Sequence, residues 1–252
     1  MREPHSQDVS DVRFDWGLTG ALAISQGAAV VVVVDVLSFT TTVTVAAEAG
    51  VEVFPYRMRD ASAATFAADK QAVLAVGRTE AGSSGVSLSP LSVQAATESG
   101  GPLAVGARLV LPSPNGSTIA RTLFEQGVAV VAACLRNAAA AAVWAQREAA
   151  GAPMAVIAAG ERWPGDTLRP AVEDLWGAGA VIAALSGRKS PEAEAAAAAF
   201  RAVARSMPES IAACASGREL IDDGYGDELP LAAAAGASSV VPVLRGGSFQ
   251  PA

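Results

Sequence analysis

An α/β fold, a three-layer α/β/α arrangement around a parallel or mixed sheet, is predicted from three observations. Val30–Val34 is an unbroken valine run, and a strand with no polar interruption is one buried on both faces between helices. Three later stretches repeat one plan, an apolar strand that ends in a polar loop before a helix. That alternation is how a sheet is wound between helices. The alanine-rich segments also carry helix punctuation: Ser190 precedes Pro191 at the head of an alanine run, a cap followed by proline in the first turn. At 252 residues the chain can bury a sizeable core, as a single α/β domain over 1–252 or as two closely packed lobes.

Taken in order, Val12–Trp16 reads as an edge strand and Gly17–Gln26 as a short helix. The valine run ends in Asp35, and Thr40, Thr41 and Thr42 lead into an alanine-rich helical stretch, Val43–Ala49. Val51–Tyr56 is a second strand of the sheet, Arg59–Ala68 a helix and Val73–Val76 a third strand. Gly77–Gly85 is a flexible polar loop, and long loops in compact domains are often functional. Pro90–Thr97 is too short and polar to assign. The three strand–loop–helix units follow. Arg108–Leu111 runs through Pro112–Ser117 into helix Thr118–Gln126. Val128–Cys134 runs through Leu135–Asn137 into helix Ala138–Ala149. Met154–Ala159 runs through Gly160–Asp166 into a helix carrying Glu173, Asp174, Gly177 and Gly179. Residues 190–206 form a helix, Asp222–Glu228 an acidic loop without the glutamate spacing of an EF-hand, and Val240–Leu244 a last strand.

The net charge of −7 and pI near 4.8 argue against nucleic acid, whose binders present a basic face. No run approaches the apolar length of a membrane helix, and the first residues lack an apolar signal region, so the expected location is cytoplasmic. Two cysteines make no disulfide framework. The single histidine, His5, lies in a polar terminus, which argues against Ser-His-Asp hydrolysis and zinc sites built on imidazoles. A catalytic metal must then use oxygen ligands, which favours magnesium. The alanine-rich helices suit a homodimer interface.

Open α/β sheets bind ligands at the carboxyl ends of their strands. With parallel strands, Asp35, Asn115, Arg136, Asn137, Glu161 and Arg162 meet at one such edge, carboxylates for a cation and arginines for an anion. Each loop read alone has a plainer meaning: Asp35 capping a turn, Pro112–Ser117 a simple turn, Asn137 a helix cap, Glu161-Arg162 a surface ion pair. Glu173-Asp174 reads alone as a solvated helix face, although Leu175-Trp176 beside it implies partial burial. Neither a Walker loop nor a dinucleotide-binding fingerprint is present. Cys134 lacks an arginine six positions on, and Asp35 lacks the second aspartate of an Asp-x-Asp phosphatase. Metal-assisted chemistry on a small anionic molecule remains.

These stretches resemble the 2-phosphosulfolactate phosphatase (ComB) family. The resemblance rests on Asp35-Val-Leu-Ser-Phe-Thr-Thr-Thr, Ser89-Pro90, Asn115-Gly-Ser, Arg136-Asn-Ala, Ala159-Gly-Glu, Glu173-Asp with Gly177-Ala-Gly, and Ser216-Gly-Arg-Glu-Leu. It covers residues 30 to 230, with the motifs in the family's order. It implies a magnesium-dependent (Mg2+) phosphoric monoester hydrolase that releases phosphate from 2-phosphosulfolactate, a step of coenzyme M biosynthesis. Asp35, Glu161 and Arg136 are the catalytic residues it implies. Thr40, Thr41, Asn115, Arg78, Asn137 and Arg162 would bind phosphate and substrate, and Asp35, Glu161 and Asp174 would bind metal. Two departures stand out: Ser38 occupies the place of a family arginine, and Leu88 that of an asparagine. Serine cannot hold an anion bidentately as arginine does, so a changed substrate, a related phosphorylated hydroxy acid, is expected. A non-catalytic anion- or metabolite-binding protein on the same fold is the alternative.

Overall fold

A computed structural model describes residues 4–57, 60–82, 85–98 and 100–252. In chain order the elements begin with β1 (Val12–Trp16), α1 (Gly17–Ile24), β2 (Val30–Val34), α2 (Phe39–Glu48), β3 (Glu52–Tyr56) and α3 (Ala61–Lys70). Next come β4 (Val73–Leu74), α4 (Arg78–Ala81), α5 (Pro90–Ala96), β5 (Arg108–Pro112), α6 (Gly116–Glu125), β6 (Ala129–Ala133) and α7 (Ala138–Ala149). They are followed by β7 (Met154–Ala158), the short pair β8 (Glu161–Arg162) and β9 (Leu168–Arg169), α8 (Val172–Ala184) and α9 (Pro191–Val203). The chain closes with α10 (Met207–Ala213), α11 (Ala215–Asp222), α12 (Leu229–Ala233), β10 (Pro242–Arg245) and β11 (Ser248–Pro251).

Nine strands form one sheet in the order β1-β7-β2-β6-β10-β11-β3-β5-β4. The strands β1, β7, β2 and β6 are mutually parallel, as are β3, β5 and β4. The antiparallel hairpin β10–β11 joins the two blocks, pairing with β6 on one side and β3 on the other. The sheet is therefore mixed. Its layers follow from the two-residue period of a strand. Val30, Val32 and Val34 face one core with Ala178, Val181 and Ile182 of α8, while Val31 and Val33 face the other with Phe39 and Val43 of α2. All five valines are fully buried, which satisfies the reading of that run as a two-sided strand.

The elements differ from the sequence reading in several places, each for a local reason. The helix α2 begins at Phe39, so Thr40, Thr41 and Thr42 lie inside its first turn and not ahead of it. Gly77–Gly85, expected as a loop, carries the short helix α4, and residues 83–84 lie outside the described residues. The expected start of α3 at Arg59 also lies outside them; Asp60 caps the helix by accepting from Ser62 N and Ala63 N. Pro90–Thr97, left unassigned, is α5, with Ser89 as its cap and proline in the first turn. The acidic stretch at 222–228 is the end of α11 and a 3-10 turn that carries Glu228 inward. The last strand has a partner, β11, whose alternation Ser248-Phe-Gln-Pro is too short to register as a pattern. No helix among the described residues is long and apolar enough to cross a membrane.

Candidate active site

The register of β2 against its neighbours sets the site. Val34 pairs with Ala158 of β7 and with Ala133 of β6, so Asp35 leaves the sheet level with Ala159 and Cys134. The backbone then turns and α2 begins. Thr40 fixes the turn: its hydroxyl donates to Asp35 O at 2.7 Å and accepts from Asp35 N at 2.9 Å. The Thr41 hydroxyl donates to Val36 O at 2.7 Å, and that of Thr42 to Leu88 O at 2.7 Å. The Leu37–Ser38 peptide bond is cis. Thr40 and Thr41 were expected to touch phosphate. Both are fully buried with their hydroxyls spent on the backbone, so they shape the loop and present nothing to a ligand.

Asp35 is held from two sides. Its Oδ1 accepts from Phe39 N at 3.0 Å and its Oδ2 from Gly116 N at 3.0 Å, across 81 residues of chain. Gly116 permits this approach, since a Cβ there would stand 2.6 Å from Asp35 Oδ2 and 2.6 Å from the Phe39 ring. A second acid, Asp174, makes a matching clasp from the first turn of α8, accepting from Val36 N at 2.7 Å and Gly160 N at 2.8 Å. The close fit of α8 again depends on a missing Cβ: one at Gly177 would lie 2.7 Å from both Val34 and Val36. Glu173, next along, is buried. Glu161 of β8 accepts from Asn115 Nδ2 at 3.0 Å.

Four carboxylates thus gather beyond the ends of β2 and β7. Burial raises the pKa of Asp35 to about 6, Glu173 repels its charge further, and the two backbone N–H groups oppose the rise. Glu161 rises to about 7, through burial first and then the charges of Asp35 and Glu173. Asp174 is driven well above the usual carboxylate range by burial and by Asp35 and Glu173. Such a concentration of buried like charge makes this edge of the sheet the functional-site candidate. The all-oxygen donor set and the mutual repulsion fit a hard divalent cation. Magnesium needs only one or two carboxylates and completes its shell with water or substrate oxygens. Among the described residues no three acidic, cysteine or histidine side chains already surround one point, so the fit is to that sparse kind of site.

The arginines fall into three classes. Arg162 joins the site: its Nε donates to Asn115 Oδ1 at 3.0 Å, Nη2 to Pro114 O at 3.0 Å and Nη1 to Asp166. Arg78 arrives from α4 and influences Asp35, but its Nε and Nη2 form a bidentate pair with Glu228 at 3.0 and 2.8 Å. The same Nη2 donates to Ser38 Oγ at 2.9 Å. Arg136 and Asn137 do not join. Arg136 pairs with Glu48 at 3.2 Å, donates to Leu231 O and lines a separate cavity with Gln94 and Thr97. The buried Asn137 amide serves the backbone, accepting from Cys134 N and donating to Ala132 O and Val240 O. Parallel register brings loop starts to one edge, but it does not decide which way a side chain leaves the loop.

Two residues escaped the sequence reading of the site. Glu173 was read only as part of a pair whose second member was chosen. Arg169 stands opposite Glu161 in the β8–β9 ladder, acts on its charge, and forms none of the ion pairs found among the described residues. Its guanidinium stacks on Trp163 at 5.8 Å and donates to Ser216 Oγ at 3.2 Å. The arginine-proline pair ahead of Glu173 was the available signal.

Beside Glu161 a cavity of about 220 Å³ opens, walled by Trp16, Leu18, Asn115, Ile119, Arg162 and Leu168 among others. Acids for a cation, arginines for an anion and a small cavity for the rest of a ligand therefore share one sheet edge. A family model described as 2-phosphosulpholactate phosphatase matches residues 21–247. A probable 2-phosphosulfolactate phosphatase of Thermus thermophilus is 32% identical over 225 residues, spanning 86% of this chain and 88% of that protein. The chain belongs to the 2-phosphosulpholactate phosphatase family, and with it to the phosphoric monoester hydrolases.

Proposed function

We propose that the chain is a magnesium-dependent phosphatase that hydrolyses a small anionic phosphate ester, 2-phosphosulfolactate or a related phosphorylated hydroxy acid, and releases phosphate. The convergence of Asp35, Glu161, Glu173 and Asp174 on one edge of the sheet, with Arg169 beside them, carries the reading. Asp35 and Asp174 would hold the ion, each oxygen keeping a lone pair beyond the backbone N–H it already accepts. A bound magnesium ion would neutralise charge on the phosphoryl oxygens and orient the attacking water. Arg169 is placed to balance the charge of the phosphate, and Arg162 a further anionic group of the ester. Glu161, which lines the cavity together with Asp166, would be the group that gives the leaving oxygen a proton. The net charge of −7 supports a small-molecule partner over nucleic acid.

The test is phosphate release from a panel of phosphorylated hydroxy acids, with and without magnesium, by the wild type and by Asp35→Asn. Magnesium-dependent release that is lost in Asp35→Asn is expected. A folded protein silent on the whole panel would favour the anion-binding alternative. Magnesium at a hundred times its Kd should also stabilise the fold by about 2.7 kcal/mol.

A further inference from the structure

Arg136 belongs to a motif that carries the family resemblance, yet it takes no part in the acid cluster, and a second cavity forms around it. That cavity, of about 270 Å³, lies between α2, α5 and α12, and none of the four clustered acids lines it. Arg136 and Glu48 are its charged residues, Gln94 and Thr97 its neutral polar ones, and Val45, Ala49 and Leu231 its apolar wall. The guanidinium is incompletely used. Its Nη1 donates to Leu231 O at 3.2 Å. Only Nη2 meets the carboxylate, 3.2 Å from Glu48 Oε1 and 3.3 Å from Oε2, which is long beside the roughly 2.7–2.9 Å of hydrogen bonds between charged groups. Nε is closed to solvent and has no hydrogen-bond partner among the described residues, although a buried polar group normally finds one. A well-matched carboxylate takes two guanidinium nitrogens at once; Glu48 takes one.

The two charges differ in freedom. The Arg136 side chain is 13% exposed and that of Glu48 29%, and Glu48 is the last residue of α2, so Glu48 is the one able to swing aside. A simple anion entering the cavity would be repelled by Glu48, and a simple cation by Arg136. A ligand that carries both charges suits both residues. Its carboxylate would span Nε and Nη2 in the place that Glu48 vacates, and its ammonium would pair with the displaced Glu48. The exchange satisfies the orphaned Nε and leaves neither side chain without a counter-charge. The apolar wall favours a hydrocarbon side chain, and the volume, below the range of drug-sized pockets, keeps it short. We propose that this cavity is a second ligand site and that it binds a free α-amino acid with a small apolar side chain. Such a ligand is an effector and not the ester. It would sit at the far end of the helix whose first residue, Phe39, holds Asp35.

The test is titration calorimetry of the full chain with L-valine and with two molecules that each keep one of its charges, 3-methylbutanoate and isobutylamine. Neither ester nor magnesium is present, so the result stands apart from the phosphatase reading. L-Valine should bind tighter than either analogue by about ten-fold or more, the scale of one hydrogen bond between charged groups. Glu48→Gln keeps an acceptor for Arg136 and removes the charge, so it should bring 3-methylbutanoate level with valine. Gln94 is exposed, so Gln94→Trp is tolerated there; by narrowing the cavity it should weaken valine about ten-fold with the melting temperature of the free protein unchanged. Asp35→Asn, in the acid cluster, should bind valine as the wild type does, and loss of binding there would move the ligand to that cluster and overturn the proposal. Equal affinity of the wild type for valine and 3-methylbutanoate would also overturn it, as would an unmoved ratio in Glu48→Gln. So would the absence of both heat and a rise in melting temperature with valine at millimolar concentration.

Discussion

Replacing Gly116 by alanine sets two physical effects against each other. As the first residue of α6, Gly116 does not have a positive φ, so alanine is free to adopt its backbone conformation. Helix propensity alone then predicts stabilisation by up to about 1 kcal/mol. Sterics predict the opposite. The new Cβ would stand 2.6 Å from both Asp35 Oδ2 and Phe39 Cδ1, where ordinary contact begins at 3.4 Å, so one or both must retreat by several tenths of an ångström. Retreat of Asp35 weakens its bond from Gly116 N, and a hydrogen bond to a charged group contributes about 1.5–3 kcal/mol. Overpacking against the buried Phe39 ring adds about 1–3 kcal/mol. Partial relaxation leaves an expected net loss of about 2–4 kcal/mol in urea unfolding. Misplacing the acid should lower kcat/KM by about a hundred-fold, the scale on which a displacement of about 1 Å acts. An alanine variant as stable as the wild type, with turnover within two-fold, would refute the view that Asp35 is clamped by this contact.

Two further perturbations test the charges. Glu228→Ala leaves the largely buried Arg78 without its counter-ion and should cost about 3 kcal/mol, within the range for breaking a buried pair; a loss below about 1 kcal/mol would show that water already screens it. The magnesium-free protein should become less stable as pH rises from about 4 to 7. The folded pKa of Asp35, about 6, exceeds its unfolded value near 3.8, so folding takes up a proton only between about pH 4 and 6; the stability this gives is fully present below about pH 4 and is lost as pH climbs through 6. The difference corresponds to about 3 kcal/mol for Asp35 alone, and Glu161 acts in the same direction without simple additivity. Unfolding midpoints across that range should flatten in Asp35→Asn, and a stability that rises with pH would contradict the charge cluster.

The sheet was legible because Val30–Val34 and the repeated strand–loop–helix units satisfy the same demand at several scales. Apolar runs, polar loops and caps all point to one architecture. What sequence could not yield is the hairpin β10–β11 that turns a parallel sheet into a mixed one. Its four-residue strands are set by the gap they fill between β6 and β3 more than by their own pattern. The site shows the same division. Asp35, Glu161 and Asp174 could be singled out because they sit in the motifs that carry the family resemblance, and the fold brings them to one edge of the sheet. Arg136 was misplaced because proximity in the chain to such an edge leaves the side chain free to leave in either direction, and Glu48 drew it outward. Thr40 and Thr41 looked like ligands for phosphate because hydroxyls near an acid serve equally well to hold a turn, and the tight turn after Asp35 claims them first.

Ser38 joins these threads. The family resemblance leads one to expect a guanidinium at this position, and its loss alone would predict a weakened anion site. The structure supplies a guanidinium nearby all the same, since Arg78 from α4 reaches the Ser38 hydroxyl at 2.9 Å. It comes with Glu228, however, and a bidentate carboxylate cancels in charge what the arginine restores in position. Arg78 therefore brings no uncompensated charge to Ser38. On the phosphatase reading, such a site would keep its acids for the phosphoryl group, while Arg78, already paired with Glu228, would add little attraction for the rest of the ester.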